Sequence, residues 1–261
     1  MLVLWGLKDQ DGLLIATLPE PAFSMASCPE KNRVCLGTRS GMLYEMDYRS
    51  KRLLRTWQGH SDAVFSLIYS SDGERLYSAS ADGFVKKWSN DSDLAQDSQQ
   101  ISPKNLRCLE FGTQGLWVGG SEGKLWLIDP TNLQVLMEQK VSDTSVFAIQ
   151  SEGKDIFFCG RDARIHKYHN NNPEQDVNAH WYTIHALSIS PDKQFLASGS
   201  MDKSIKIWEK EGLHLLKVID RERYGAHSSS VNRIIWLDSR RFVSCSDDRM
   251  LLCFELNFTP D

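Results

Sequence analysis

Two thirty-residue stretches of the sequence, 120 residues apart, decide the fold. Residues 59–88 read GHSDAVFSLIYSSDGERLYSASADGFVKKW, and residues 179–208 read AHWYTIHALSISPDKQFLASGSMDKSIKIW. His, Ser, Asp and Trp occur in the same register in both stretches. Because the offset is three times forty, the pair indicates a repeat of about forty residues that continues between them.

The repeat extends over the whole chain. Its units can be aligned on one anchor residue each, the turn residue that precedes the third apolar run of the unit. These anchors are Ser40, Asp82, Glu122, Asp162, Asp202 and Asp248. Three positions before them stand small residues, Gly37, Ala79, Gly119, Cys159, Gly199 and Cys245. Small residues are expected where a neighbouring backbone or ring presses against a strand. The repeats end near Trp5, Met46, Trp88, Ile128, Tyr168, Trp208 and Phe254.

Each repeat contains three or four short runs rich in Val, Ile, Leu, Phe and Tyr, separated by turn residues such as Ala81-Asp82-Gly83. This pattern predicts antiparallel strands. The first run of a repeat, as in Val64–Tyr69 and residues 231–237, is nearly all apolar, which predicts burial on both faces. Four-stranded units that cannot bury their faces alone stack radially, so we predict an all-β fold, a β-propeller, in a single domain of residues 1–261.

Short elements of the two stretches also resemble the WD-repeat β-propeller family. These elements are GH, SASADG and VKKW in the first stretch, and AH, SGSMD and IKIW in the second. The resemblance covers essentially the whole chain, and it is specific for the fold and weak for function. It implies structural tetrads of hydrogen-bonded side chains, His60, Ser78, Asp82 and Trp88 in one blade and His180, Ser198, Asp202 and Trp208 in another.

The other repeats depart from this tetrad. The last repeat keeps His227, Ser244 and Asp248 but has Phe254 in place of Trp, so the indole end of its network should be absent. The repeats anchored at Ser40, Glu122 and Asp162 have Leu36, Val118 and Phe158 in the Ser position. We expect apolar packing to replace the network in these three.

The number of blades depends on the first twenty residues. Trp5 lies 41 residues before Met46, which puts residues 2–5 in the register of a third strand and residues 13–18 in that of an outer strand. The chain then lacks three contiguous strands of a seven-bladed plan with an incomplete N-terminal blade. Since the resembled family closes its ring by mixing both chain ends, we expect about 35 residues to be missing before Met1. In the alternative, a six-bladed ring, residues 13–18 close the last blade and residues 1–7 hang free.

Charge and cysteine content narrow the class of function. Thirty basic and 34 acidic residues give a formal charge of −4, without long runs of like charge. We therefore expect no membrane as partner, and this charge balance disfavours nucleic acid. Six cysteines without a CxxC spacing predict neither a zinc site nor a redox pair, and free thiols fit a cytoplasmic protein.

Motifs that resemble catalytic or ligand sites have simpler interpretations. The segment GGSEGK at residues 119–124 differs from a phosphate-binding loop in spacing and lacks a following helix, so it predicts a hairpin turn. His166 and His169 are three apart in a strand and point to opposite faces, while His180 belongs to a tetrad and is no metal partner for His185. We expect no catalytic residues, no metal and no cofactor.

The remaining candidate for a functional site is a surface that binds partners. In the resembled family, partners most often dock on the face formed by the loops before the innermost strands and after the second strands. Here those loops carry Arg39, Asp62, Arg161, Trp181, Tyr182, Met201 and Asp247. A longer last repeat adds Arg221, Arg223 and Tyr224 on the same face, as a binding loop or a simple solvated one. Trp181 and Tyr182 are either hot-spot residues or ordinary packing that caps a blade.

These observations favour a non-enzymatic scaffold that binds one or more proteins or peptides on the propeller face. Two other functions stay open. One is a propeller enzyme with a site in the central channel, which would need convergent polar side chains there. The other is a reader of a modified or anionic ligand, RNA included, whose binding would weaken strongly with salt.

Overall fold

The computed structural model describes residues 1–6, 12–89 and 92–257, and these residues form antiparallel sheets. The chain falls into two compact units, residues 1–141 and residues 142–261. Within the described residues, no helix is long and apolar enough to cross a membrane. The single domain of residues 1–261 stays a prediction, and its residues 7–11, 90–91 and 258–261 lie outside the described part.

The first unit contains one sheet of two strands and three sheets of four. The small sheet pairs β1 (Leu2–Leu4) with β2 (Leu13–Ala16). The next sheet contains β3 (Ala22–Cys28), β4 (Arg33–Thr38), β5 (Met42–Asp47) and β6 (Arg52–Gln58), with a 3-10 turn at Pro29–Lys31. Then follow β7 (Val64–Tyr69), β8 (Arg75–Ser80), β9 (Phe84–Ser89) and β10 (Ala95–Gln100). The last sheet contains β11 (Leu106–Gly112), β12 (Gly115–Gly120), β13 (Lys124–Ile128) and β14 (Val135–Lys140).

The second unit contains two sheets of four strands, one of three strands and a helical turn. The first sheet contains β15 (Val146–Glu152), β16 (Asp155–Gly160), β17 (Arg164–His169) and β18 (Asn172–Asn178). The second contains β19 (Ile184–Ile189), β20 (Phe195–Ser200), β21 (Ile205–Glu209) and β22 (Leu215–Ile219). After the helix α1 (Arg221–Tyr224), the third contains β23 (Val231–Trp236), β24 (Arg241–Ser246) and β25 (Leu251–Glu255).

The fold class is an all-β propeller with four-stranded antiparallel blades, as predicted. The described residues form six sheets of three or four strands, which is the blade number of the six-bladed alternative. The seven-bladed plan is not confirmed, because β1 and β2 form a sheet of only two strands. Residues 2–4 pair with β2 and so do not hang free, while residue 7 lies outside the described part.

The second strand of each four-stranded sheet is its most buried element. Strand β8 is buried from Leu76 to Ser80, because it has strands on both edges and packed side chains on both faces. Burial on both faces of the first strand is a wrong expectation for β23, where Ile235 is exposed. Arg233 of the same strand is exposed as well, so one face of β23 is open to solvent.

Apolar clusters join successive sheets within each unit. In the first unit, Cys28 and Cys35 of one sheet share a core with Leu67 and Trp88 of the next. In the second unit, Phe157 and Cys159 share a core with Leu196 in the same way. At roughly 25 cal/mol per Å² of buried apolar surface, these contacts between sheets are the main stabilising contribution.

Candidate functional site

Four side chains of the sheet β7–β10 lie in one buried chain of hydrogen bonds. The indole Nε1 of Trp88 donates to Ser78 Oγ at 2.8 Å, and Ser78 Oγ lies 2.7 Å from His60 Nε2. His60 Nδ1 lies 3.0 Å from a carboxylate oxygen of Asp82. Every donor meets one acceptor when the imidazole is neutral and carries its proton on Nδ1. Burial lowers the pKa of His60, which favours this neutral form.

The local sequence places these groups on four successive elements. His60 precedes β7, Ser78 lies in β8, Asp82 lies in the turn and Trp88 lies in β9. Burial opposes ionisation of Asp82, but the hydrogen bond from His60 and backbone amides hold the pKa of this carboxyl well below its usual range. Two of those amides belong to Ser61 and Phe84, each at 3.0 Å. The carboxylate thereby fixes the loop before β7 and the turn after β8.

The sheet β19–β22 contains the same arrangement. His180 lies 2.9 Å from Asp202 and 2.7 Å from Ser198, and Trp208 Nε1 donates to Ser198 at 2.9 Å. In the sheet β23–β25, the corresponding histidine, serine and aspartate also lie within hydrogen-bonding distance, and Phe254 stands in the position of the indole.

The other sheets bury apolar side chains in the serine position. Leu36, Val118 and Phe158 are all buried there. Two of these sheets contain a smaller polar contact that the repeat pattern did not predict. Ser102 Oγ donates to Glu122 at 3.1 Å, and Ser142 Oγ donates to Asp162 at 3.0 Å.

All ten residues predicted to contact partners have exposed side chains. Arg39 and Asp62 belong to the first unit. The other eight belong to the second unit, namely Arg161, Trp181, Tyr182, Met201, Arg221, Arg223, Tyr224 and Asp247. The structure therefore places the predicted site as two groups, one in each unit.

Trp181 and Tyr182 in the loop before β19 and Met201 in the turn after β20 are exposed, and these three residues are here called the aromatic platform. Trp181 is 87% exposed, although its backbone amide donates to Asp202 Oδ2 at 3.1 Å. The carbonyl of Tyr182 accepts a hydrogen bond from Ser200 Oγ at 3.0 Å, and the amide of Met201 donates to the carbonyl of Thr183 at 2.8 Å. The side chains thus project into solvent from backbone that the buried network holds.

The inserted residues before β23 form the one-turn helix α1 instead of an irregular loop. Asp220 caps its first turn by accepting from the amide of Arg223 at 2.9 Å, and Gly225 ends it with φ of +64°. Lys217 Nζ lies 4.9 Å from the ring centre of Tyr224. The arginines and Tyr224 are therefore presented on ordered backbone.

Each inner strand contains a β-bulge, whose residues the repeat pattern did not predict. The register shifts at the second residue of every inner strand, Phe23, Phe65, Arg107, Phe147, His185 and Asn232. In the first unit, the rings of Phe23 and Phe65 stack with centres 5.9 Å apart, and the Arg107 guanidinium lies 4.2 Å from the centre of the Phe65 ring. A bulge re-aims a side chain out of the alternating pattern.

The histidines considered as metal ligands have other contacts. His166 stacks on Phe158 with ring centres 4.7 Å apart and lies 2.9 Å from Asp162. The ring of His185 lies 5.3 Å from that of Phe147. Asp155 in β16, His169 in β17 and Glu174 in β18 each offer a ligand atom within 4.8 Å of the others, and their side chains are exposed or half-buried. The segment GGSEGK forms the turn between β12 and β13.

A model of the WD domain, G-beta repeat family matches residues 51–89, 171–209 and 220–255. Among known proteins, striatin of Mus musculus is 29% identical over 171 residues, which are 59% of this chain and 22% of that protein. Protein ROOT INITIATION DEFECTIVE 3 of Arabidopsis thaliana is 23% identical over 238 residues, which are 82% of this chain and 54% of that protein. The chain thus spans between about a fifth and about half of these relatives.

Solved structures show the same fold. The crystal structure of the WD40 beta propeller domain of Doa1 superposes with a TM-score of 0.85 at 18% sequence identity. The match covers 98% of this chain and 86% of that chain. At this level of identity, the likeness concerns the fold alone.

Proposed function

We propose that this chain, which belongs to the WD-repeat β-propeller family, is a non-enzymatic scaffold that binds proteins or peptides at exposed loops of its blades. The observation that carries the proposal is the aromatic platform. Trp and Tyr are the residue types most enriched at binding hot spots, since they combine a large contact area with a polar group. An 87% exposed Trp181 has its contact area available to a partner.

The backbone beneath the platform adds to this argument. The amide of Trp181 is bonded to Asp202, and the turn that carries Met201 is bonded to Thr183. Binding then has little backbone to immobilise, which lowers the entropic cost of association. The exposure of the Trp181 ring supports a role in binding over ordinary packing that caps a blade.

The remaining positions extend the proposed surface. Arg161, Asp247 and the exposed residues of α1 offer charged groups in the second unit. Arg39 and Asp62 form a separate proposed contact region in the first unit. Protein or peptide partners fit this mixture of aromatic and oppositely charged groups, and a cytoplasmic location stays a prediction from the cysteine pattern.

The proposal can be tested by affinity capture from native cell extract. The chain is compared with a variant that carries Arg161→Glu, Trp181→Ala and Tyr182→Ala, and a captured protein is purified and titrated against both. A matched control carries Arg240→Glu, Leu215→Ala and Leu216→Ala, at exposed positions outside the proposed surface. All variants are first shown to be folded by circular dichroism.

We expect the triple variant to lose about 30-fold or more in affinity, because truncating hot-spot residues costs about 2 kcal/mol or more. The control should bind within about twofold of the unchanged chain. A captured partner that binds the triple variant as tightly as the unchanged chain would contradict the proposed surface.

A further inference from the structure

The turns that follow the second strands of the second unit combine an aspartate with an exposed cation. These pairs are Arg161 with Asp162, Lys203 with Asp202, and Arg249 with Asp248. In the first unit, Arg39 stands beside Ser40, and the turns at Asp82 and Glu122 contain no Lys or Arg. The pairing of an aspartate with a cation is therefore a feature of the second unit.

The aspartates of these turns are bonded to groups of their own chain. Asp162 accepts a hydrogen bond from Ser142 Oγ at 3.0 Å, and Asp202 accepts from the amide of Trp181 at 3.1 Å. Asp248 likewise accepts from a backbone amide of the loop before β23 at 2.8 Å. The side chain of Asp202 is only 7% exposed as a result. The negative charges of the turns are thus directed into the protein.

The cations of the same turns point to solvent. Arg161, Lys203 and Arg249 are exposed, and they form no ion pair with any residue that the structure describes. The third turn also carries the exposed Asp247, which offsets the charge of Arg249. Arg161 and Lys203 therefore create a local positive potential, although the formal charge of the chain is −4.

The turns of these two cations are both bonded to the loop of Trp181. The carbonyl of Ala163, in the turn of Arg161, accepts from the amides of residues 179 and 180 at 3.1 Å each. The amide of Trp181 donates to the aspartate that directly precedes Lys203. An exposed aromatic ring and two exposed cations are thus held on one hydrogen-bonded group of loops.

We propose that this group of loops binds an acidic, extended segment of a partner protein. Carboxylates of the segment pair with Arg161 and Lys203, and an apolar side chain between them covers Trp181. Since alternate side chains of an extended chain lie on one face, the matching pattern is an apolar residue with an acidic residue two positions to either side. The inference rests on the proposed function, because it names the chemistry of the partner that the aromatic platform binds.

The charges of the neighbouring loops favour a protein segment over a nucleic acid. A nucleic acid carries a negative charge on every phosphate, and its affinity depends on many cations along one path. Glu222 and Asp247 are exposed on loops of the same unit and would repel such a continuous backbone. A segment with two separate carboxylates needs only Arg161 and Lys203, and charge complementarity of this kind gives specificity.

The probe is a labelled heptapeptide with the central sequence Glu-Ser-Phe-Ser-Glu and a glycine at each end, and its control has lysine in place of both glutamates. Fluorescence polarisation measures binding to the folded chain. The test variant carries Arg161→Glu and Lys203→Glu. A matched control carries Lys154→Glu and Arg240→Glu, which change the net charge equally. Both control residues are exposed and lie in turns between a first and a second strand.

We expect saturable binding of the glutamate peptide with a Kd below about 1 mM. The test variant should weaken this binding about tenfold or more, and the control variant should leave it within about twofold. The lysine peptide should bind the test variant within about threefold of the affinity that the glutamate peptide has for the unchanged chain. Trp181→Ala should weaken the binding of the glutamate peptide about tenfold or more.

The inference is overturned if the glutamate peptide shows no saturable binding up to about 3 mM, or if the test and control variants bind it equally. It is also overturned if a single-stranded uridine oligonucleotide binds the chain and the glutamate peptide does not. The proposed function survives these outcomes when a captured protein still requires Trp181 and Tyr182. It fails separately, when Trp181→Ala and Tyr182→Ala leave the affinity for the captured protein unchanged.

Discussion

The neighbouring sheets β7–β10 and β11–β14 hold the same loop and turn in two different ways. In the first, Asp82 accepts hydrogen bonds from His60 and from the amides of Ser61 and Phe84. In the second, Glu122 stands in the aspartate position, and its carboxylate accepts from Ser102. A polar network and an apolar core with one polar contact can therefore stabilise the same sheet.

One residue of the second sheet explains part of this difference. Pro103 stands at the position of Ser61, directly after the residue in the histidine position. Proline has no N–H, so this loop has no amide to donate at the place where Ser61 donates to Asp82. The loss of the carboxylate network and the presence of proline are thus consistent with each other.

The largest expected effect comes from removing the central carboxylate. Asp82→Ala leaves His60 Nδ1 and two backbone amides without their acceptor, and we expect it to lower the free energy of unfolding by about 3 kcal/mol or more. Glu122→Ala should cost about 1 kcal/mol, because it breaks one hydrogen bond to Ser102. Urea unfolding followed by circular dichroism measures both. Equal costs would show that the two sheets are held in the same way after all.

A smaller effect is expected from the backbone amide alone. Ser61→Pro removes the N–H that donates to Asp82, and we expect a loss of about 2 kcal/mol. Ser61→Ala keeps this N–H and should change the free energy of unfolding by less than about 0.5 kcal/mol. In the other sheet, Pro103→Ala breaks no such bond and serves as the reference in the same urea titration. If Ser61→Ala lowers the free energy of unfolding as much as Ser61→Pro does, the side chain of Ser61 and not its amide is the stabilising group.

The smallest expected effect is a pH dependence of the local stability of the sheet β7–β10. Burial lowers the pKa of His60 in the folded protein below its ordinary value of 6.5, so the unfolded chain takes up the proton first. The stability that this residue contributes is present above about pH 6.5 and is lost as the pH falls below it. The pKa of Asp82 is also lowered, so a second loss begins below about pH 4, where the unfolded carboxyl becomes protonated.

Hydrogen exchange is measured at pH 7.5 and pH 5.5, and the rates are corrected for intrinsic exchange. This comparison distinguishes the two sheets. Amides of β8 and β9 should lose protection at the lower pH, and amides of β12 and β13 should keep theirs. A His60→Gln variant should show no such difference between the two conditions. Equal losses in both sheets of the unchanged chain would mean that His60 is not the group responsible.

The fold class could be predicted from sequence because the turn residues recur at nearly constant spacing. The blade number could not be predicted, since the register of Trp5 identifies a third strand but not how many strands pair beside it. The bulge residues were missed because a periodicity of two assumes uninterrupted alternation. A small residue directly after the bulge is the signal that could have found them, as in Phe65-Ser66 and Arg107-Cys108.

The bond between Asp202 and residue 181 involves the backbone of that residue and none of its side chain. Every amino acid except proline offers the same N–H at this place. Selection for a new partner can therefore exchange the side chain at position 181 without opposition from selection for folding. The buried carboxylate of Asp202 thus holds the backbone at position 181 whichever side chain stands there.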